Sequence, residues 1–298
     1  MALKKSDLFR TVVAGMEVVR QGQGRPTHVK VKAADATLVT PTDIRSQKAM
    51  IAALPLMPYV GILAEESAID SVPQSSVLLI DPMDGTGGFA NGLATQTVIA
   101  AMYDKERRVV TDCCIGEPAT GRVWETRGLD SVLWRCHFSD NRMVLPTMPE
   151  QIEVWNGLDA DGKLVEKNQQ TVFMDVSFGF ARKGRQILID REVGLLFASL
   201  NGDMKISIPG SNGLIQALVA NGGDRVAGSI TTAIGGPWDV AGALLVKLAG
   251  GHLQAFSAQG GVFVEKDPLD VMSYDILITA NTEGTADFLA DKIYALRR

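Results

Sequence analysis

The chain has 298 residues, 46% of them hydrophobic and 21% charged, with a formal net charge of −5. That length exceeds one comfortable core and implies two domains or one large α/β unit. The acidic balance excludes the basic face of a nucleic-acid polymer binder, and no apolar stretch approaches a membrane span.

In chain order, Ser6 is placed to cap a helix over residues 6–20, with Leu8, Phe9, Val12, Val13 and Met16 at helical spacing. This amphipathic start differs from a signal peptide, which needs an uninterrupted apolar region. Residues from Pro26 to Val39 form a loop or hairpin, and Thr42-Asp43 opens a helix that runs to about Leu54 and stops at Pro55 and Pro58. Strands are expected at 60–63, 77–80, 97–103, 109–115 and 123–126. The polar stretch 138–163 marks a boundary between an N-terminal α+β domain (1–150) and a C-terminal α/β domain (151–298). Beyond it, strands at 171–176, 205–208, 225–230 and 275–279 alternate with helices at 185–197, 213–219, 238–248 and 284–296.

Cysteine and histidine usage narrows the chemistry. Cys113, Cys114 and Cys136 are odd in number and two are adjacent, which argues against a disulfide framework and for a reducing cytoplasm. His28, His137 and His252 stand in no metal-binding spacing, so enzymes that use histidine as base or phospho-acceptor are disfavoured.

The carboxylates carry more. Val77-Leu78-Leu79-Ile80 runs into Asp81-Pro82-Met83-Asp84 and then Gly85-Thr86-Gly87-Gly88-Phe89. A buried strand thus delivers two acids and a glycine-rich turn to its carboxyl end. Two such acids repel unless cations sit between them, and oxygen-only ligands favour Mg²⁺. The turn offers backbone N–H groups to an anion, so the pattern points to metal-assisted chemistry on a phosphate. Glu65 ends another apolar run, while Asp43 and Asp239 stand at helix starts, where a plain N-cap role is the simpler reading for each alone. Two residues separate Asp81 from Asp84, against one in the D-x-D-x-T motif of covalent-aspartate phosphatases, and no P-loop motif is present.

The motifs resemble those of the inositol monophosphatase family, within the superfamily that includes fructose-1,6-bisphosphatases and 3′-phosphonucleotide phosphatases. Asp81-Pro82-Met83-Asp84-Gly85-Thr86 matches D-P-[IL]-D-G-T, Ala64-Glu65-Glu66-Ser67 matches G-E-E-S, and Val39 to Asp43 matches V-T-x-x-D, with Lys32 eleven residues before the acid. Trp238 to Gly242, followed by Ala249-Gly250-Gly251, matches W-D-x-A-G with its trailing A-G-G, and the tail Leu269 to Asn281 is also family-like. The resemblance spans about residues 30–281 and implies a five-layered α-β-α-β-α sandwich with the site between two domains, commonly as a homodimer.

It also implies two or three Mg²⁺ ions. Glu65, Asp81 and the Met83 carbonyl would hold the first, Asp81, Asp84 and Asp239 the second, and a third would lie near Glu65 and Asp43. Thr86, paired with Asp43 or Glu65, would orient a metal-activated water that attacks phosphorus without a phospho-enzyme. Asp84, Gly85, Thr86, Gly87, Ser211, Asn212 and Asp239 would contact the substrate, a small phosphate ester such as an inositol monophosphate. An adenosine bisphosphate, fructose 1,6-bisphosphate and histidinol phosphate are the alternative substrates, and a non-catalytic metal or sugar-phosphate binder is the alternative class. The chain departs from the family at Gly87-Gly88, where bulkier residues are usual; at Asn212-Gly213 in the G-[ST]-A-A segment; and at Thr232, where some inositol phosphatases carry a glutamate for ring hydroxyls.

Overall fold

The computed structural model describes residues 6–25, 28–32, 37–55, 60–66, 68–69, 75–140, 142–175, 188, 190–223, 225–232, 234–259 and 261–297. The expectations that touch Pro26, Pro58, Ser67, Val176 and residues 185–187 fall outside them.

Helix α1 (Asp7–Gly22) starts where Ser6 Oγ accepts the Phe9 N–H at 3.0 Å. Strands β1 (Lys30–Val31) and β2 (Leu38–Val39) pair antiparallel, and α2 (Pro41–Ala53) follows. Next come β3 (Val60–Ala64), β4 (Ala68–Ile69), β5 (Ser76–Asp84) and the single turn α3 (Thr86–Ala90). A run of strands follows: β6 (Thr97–Asp104), β7 (Val109–Glu117), β8 (Arg122–Arg127), β9 (Asp130–Arg135), β10 (His137–Ser139), β11 (Arg142–Val144) and β12 (Glu150–Gln151). The rest comprises β13 (Thr171–Asp175), α4 (Asp190–Leu200), β14 (Lys205–Ser207), α5 (Asn212–Ala220), β15 (Val226–Thr231), a 3₁₀ turn (Pro237–Val240), α6 (Ala243–Leu248), β16 (His252–Gln259), β17 (Val262–Lys266), β18 (Ile276–Ala280) and α7 (Glu283–Ala295).

Alternation along the strands stacks these elements. An eight-stranded sheet has the order β12-β9-β8-β7-β6-β5-β3-β4, and a six-stranded sheet has β14-β13-β15-β18-β16-β17. Leu78 and Ile80 of β5 pack with Phe9, Val12 and Met16 of α1 and Met50 of α2. Their neighbours Val77 and Leu79 point the other way, into a core with Ile215 of α5, Leu245 of α6 and Leu277 of β18. On the far face of the second sheet, Val172, Met174 and Ile276 meet Leu196 of α4 and Leu289 of α7. The layers are therefore α1/α2, sheet, α5/α6, sheet, α4/α7, a five-layered α-β-α-β-α sandwich. Both sheets are covered on both faces, which is why their strands read as continuous apolar runs.

Several elements differ from the sequence reading. Thr40, not Thr42-Asp43, caps α2: Thr40 Oγ1 accepts the Thr42 N–H at 3.1 Å, and Asp43 sits at the third helical position and accepts the Thr40 N–H at 2.8 Å. Pro41 directs this, since proline is favoured at the first helical position. Trp238 to Leu248 splits into the 3₁₀ turn and α6. The pairs β10/β11 and β9/β12 occupy stretches read as polar or unassigned, and β16 was missed because His252-Leu253-Gln254-Ala255 has weak strand propensity. Its place is set by pairing with both β17 and β18.

Candidate active site

Two parallel strands bring the first acids together. β3 and β5 run side by side from Val60↔Ser76 to Ala64↔Ile80, so Glu65 and Asp81 leave the sheet at the same end, and the Glu65 N–H donates to Ile80 O at 3.1 Å. The ladder between β5 and β6 shifts register between Asp81 and Asp84. That irregularity lets both acids reach one place instead of facing opposite sides. Asp81 Oδ1 accepts the Met83 N–H at 2.9 Å, and Ser46 Oγ of α2 pins the Pro82 carbonyl at 2.7 Å. The Met83 side chain is fully buried in the core.

Gly85 then makes the turn with φ of 92°, a conformation that favours glycine. A Cβ there would lie 3.1 Å from Gly210 O and 3.3 Å from the Ser211 Cβ, so the glycine also allows α5 to approach. Across that contact Asp84 Oδ2 accepts from Ser211 Oγ at 2.8 Å, the Gly213 N–H at 2.7 Å and Thr97 Oγ1 at 3.2 Å. Ser211 also caps α5 by accepting the Leu214 N–H. Asp239 occupies the 3₁₀ turn, where its Oδ2 accepts the N–H groups of Gly235 and Gly236.

Asp81, Asp84 and Asp239 are all buried and offer carboxylate oxygens within 4.8 Å of one another. The donors to Asp81 and Asp84 are neutral N–H and O–H groups, and the charges of the neighbouring acids act on both. Burial, then the charge of Asp239, pushes Asp84 up to about 7. Burial, followed by Glu65, Asp84 and Asp239, pushes Asp81 well above the carboxylate range. Burial also raises Glu65, although Lys32 opposes this with Nζ at 2.8 Å from Glu65 Oε1. The same Nζ lies 2.8 Å from Glu66 Oε1, so Lys32 reaches the acid loop instead of solvent.

Thr86 and Asp43 form a second unit. Thr86 Oγ1 lies 2.8 Å from Asp43 Oδ1 and 3.0 Å from Met83 O, and its single proton serves one acceptor at a time. Asp43 therefore does two things, capping α2 through Oδ2 and holding Thr86 through Oδ1. Burial raises its proton affinity. Gly87 and Gly88 continue from Thr86 within α3. Asn212 opens α5, with a buried Oδ1 that has no hydrogen-bond partner.

Sequence reasoning missed Thr97, Gly213 and Gln216. Gln216 donates from Nε2 to Asp239 O at 2.6 Å. Thr97 pairs in register with Asp84 across the β5/β6 ladder. It was the one partner that hairpin pairing could have found.

A two-sheet sandwich thus gathers clustered acids where strands end and helices begin, in a group that could hold a metal ion. The sequence matches the inositol monophosphatase family over residues 8–296, and the chain belongs to that family of phosphatases. Solved structures agree on the fold. The Thermotoga maritima IMPase superposes with a TM-score of 0.67 at 20% identity over 96% of each chain. The Bartonella henselae extragenic suppressor protein suhB gives 0.70 at 20% identity, again over 96% of each. An IMPase/NADP phosphatase solved with NADP and Ca²⁺ gives 0.62 at 16% identity over 90% of this chain and 87% of that one. A comparison with curated protein sequences finds no match.

Proposed function

We propose that this chain is a Mg²⁺-dependent phosphomonoesterase that hydrolyses a small phosphorylated metabolite of the inositol monophosphate kind. The observation that carries it is the trio Asp81, Asp84 and Asp239, buried within 4.8 Å of one another. Such a cluster disfavours its own charges unless cations neutralise them. The donor set is all oxygen, as a hard divalent ion requires. Asp81, Asp84 and Asp239, with Glu65 and the Met83 carbonyl, would hold two or three Mg²⁺. When bound, the ions supply charge neutralisation at the phosphoryl group, a lowered pKa for the attacking water and stabilisation of the leaving alkoxide.

The chain's own residues do the rest. Thr86 orients the attacking water through its hydroxyl and passes the proton toward Asp43, whose buried carboxylate is a ready acceptor. The backbone at Gly85, Thr86 and Gly87 faces the phosphate, while Asp84 and Asp239 flank the ester oxygen. Asn212 faces the alcohol half. Its Oδ1, buried and without a partner, gives a hydroxyl of the leaving group a donor's place to dock. Ser211 is committed to Asp84 and serves the substrate through it. The N-terminal portion (1–150) supplies most ligands and the C-terminal portion (151–298) completes the site. A homodimer in the cytoplasm, where the buried thiols of Cys113, Cys114 and Cys136 stay reduced, fits the same reading.

The test is phosphate release with and without Mg²⁺ from inositol 1-phosphate, fructose 1,6-bisphosphate, adenosine 3′,5′-bisphosphate and histidinol phosphate. Mg²⁺-dependent release from at least one, abolished in Asp84→Asn, is expected. Mg²⁺ binding without turnover on any of the four would replace the enzyme by a binding protein.

A further inference from the structure

Helix α5 touches both acids that would share an ion, and it does so from successive turns. Its first turn serves Asp84, through Ser211 Oγ at 2.8 Å and the Gly213 N–H at 2.7 Å. Its second turn serves Asp239, through Gln216 Nε2 to the Asp239 carbonyl at 2.6 Å. Gln216 has no solvent exposure at all. Its Oε1 is buried and without a partner, an arrangement that disfavours the fold and that an apolar side chain would avoid. Space at this point is also reserved: a Cβ on Gly242 would lie 2.7 Å from Gln216 Oε1 and 2.8 Å from Ile115 Cδ1. A fully buried amide with one end unsatisfied, held against a glycine, is poor packing material. Its other end makes a short bond to the residue that carries the third acid.

Resting on the metal-dependent reading above, we infer that Gln216 is a positioning residue that fixes Asp239 relative to Asp84, so that α5 sets the spacing of the two carboxylates. The N–H groups of Gly235 and Gly236, just before the 3₁₀ turn, donate to the Asp239 carboxylate. Those bonds shape the turn without relating it to β5. The bond from Gln216 relates it, because the same helix grips Asp84. A rigid helix of nine residues is a suitable spacer, since its backbone hydrogen bonds resist stretching along the axis. Gln216 touches neither the phosphate nor the attacking water and acts through Asp239 alone.

The experiment compares wild type, Asp84→Asn and Gln216→Met in three readouts: the Mg²⁺ binding isotherm, the melting temperature in chelator, and kcat against KM on whichever ester the wild type hydrolyses. Methionine keeps the length and volume of glutamine and removes the donor. Outer partners of metal ligands typically contribute about 10–100-fold in affinity, so Gln216→Met should weaken Mg²⁺ binding at least about tenfold. Excess Mg²⁺ should restore much of its kcat, and its melting temperature in chelator should be unchanged or raised, because the unsatisfied Oε1 is gone. A purely structural glutamine would give the reverse, a lower melting temperature with unchanged Mg²⁺ affinity, and that result overturns the inference. Should Gln216→Met fail to fold, Gly242→Ala takes its place, because the added methyl displaces the amide. Wild-type Mg²⁺ affinity in Gly242→Ala overturns the inference as well. If the wild type binds no Mg²⁺, the metal-dependent reading itself fails; if it binds and Gln216→Met binds equally, only the role of Gln216 falls.

Discussion

Two groups of buried acids in this molecule are treated in opposite ways. Glu125 of β8 lies in the core beside Trp134, yet every charge it brings is met. Oε2 accepts from Arg127 Nε and Trp134 Nε1, each at 2.9 Å, and Oε1 accepts the Ser6 N–H at 3.3 Å. Asp270 is handled alike, with Oδ1 on the Tyr103 hydroxyl at 2.7 Å and Oδ2 on Arg108 at 2.6 Å. Asp81, Asp84 and Asp239 face one another, and the donors named for them are neutral. Two isolated acids have arginine partners, whereas Asp81 and Asp84 meet neutral donors and the charges of their acidic neighbours. On the proposed function, that contrast separates acids that hold the fold from acids that would hold a metal ion more sharply than burial does, because all of them are buried.

The largest effect expected from breaking the contrast is on turnover. Asp84→Asn keeps the shape, and its Oδ1 can still accept from Ser211 and Gly213 while its amide donates toward the remaining acids. Activity should fall by about 10²–10³-fold or more, the range for loss of one preorganised charge-stabilising group. The melting temperature in chelator should rise, since one repelling charge has gone. A variant that turns over normally, or one that melts lower in chelator, would show that Asp84 belongs with Glu125.

Glu125→Gln should do the reverse. The Arg127 guanidinium, itself mostly buried and stacked 5.2 Å from the Trp134 ring centroid, would lose its ion pair with Glu125. Breaking a buried pair from one side costs about 3 kcal/mol or more, which lowers the melting temperature by several degrees. The kcat of the folded fraction should be unchanged. Thermal melts with and without Mg²⁺ check this, because Mg²⁺ should stabilise Glu125→Gln as much as wild type.

The contrast was only half legible in the sequence. Asp81 and Asp84 stood out because an apolar run delivered them to a glycine turn, and short-range pattern suffices to see that. The five layers were legible only through the resemblance to the family that the motifs carry. The partners of the acids were not visible. Ser211 and Gly213 meet Asp84 across more than 120 residues, and Gln216 meets Asp239 across 23. Such contacts are made by packing α5 against β5 and the 3₁₀ turn, and nothing local announces them. Asp43 was read as a plain cap or a catalytic partner, and the structure gives one of its oxygens to the cap of α2 and the other to the Thr86 hydroxyl. β16 and the small strands between 137 and 151 were missed for a related reason: their pairing, not their composition, makes them strands.

Acidity offers a way to sharpen the contrast without mutation. Asp84 is pushed up to about 7 in the folded protein, and Asp81 and Glu65 are raised too, all chiefly by burial. In the unfolded chain the same groups titrate near ~4. Between those values the folded state binds more protons than the unfolded one, so stability falls as pH rises. The contribution is fully present below the unfolded value and lost by the time pH passes the folded ones. Metal-free protein should therefore melt progressively lower from about pH 4 to 7. With saturating Mg²⁺ the ions take over from the protons and the decline should flatten. Parallel slopes in chelator and in Mg²⁺ would mean that the cluster holds no ion.

The smallest effect expected is at Asp270. Its partner Arg108 is about two-thirds exposed and sits at a turn with φ of 57°, so solvent already screens that pair. What Asp270→Asn removes is mainly the charge on its short bond with Tyr103, whose hydroxyl is pushed up to about 12 by burial and by Asp270 itself. A charge-assisted hydrogen bond contributes about 1.5–3 kcal/mol, and asparagine keeps a neutral acceptor there, so a loss of about 1 kcal/mol is expected. Chemical denaturation should show that loss with Mg²⁺ affinity unchanged. The position still matters to the site, because Tyr103 belongs to β6 of the first sheet and Asp270 to the segment leading into β18 of the second. Their bond ties the first sheet to the segment that enters the second, and Asp84 ties the same first sheet to α5, which lies between the two. If Asp270→Asn weakened Mg²⁺ binding as well, the division between acids that hold the fold and acids that hold a ligand would be too simple: the clasp would then be setting the spacing of the cluster from a distance.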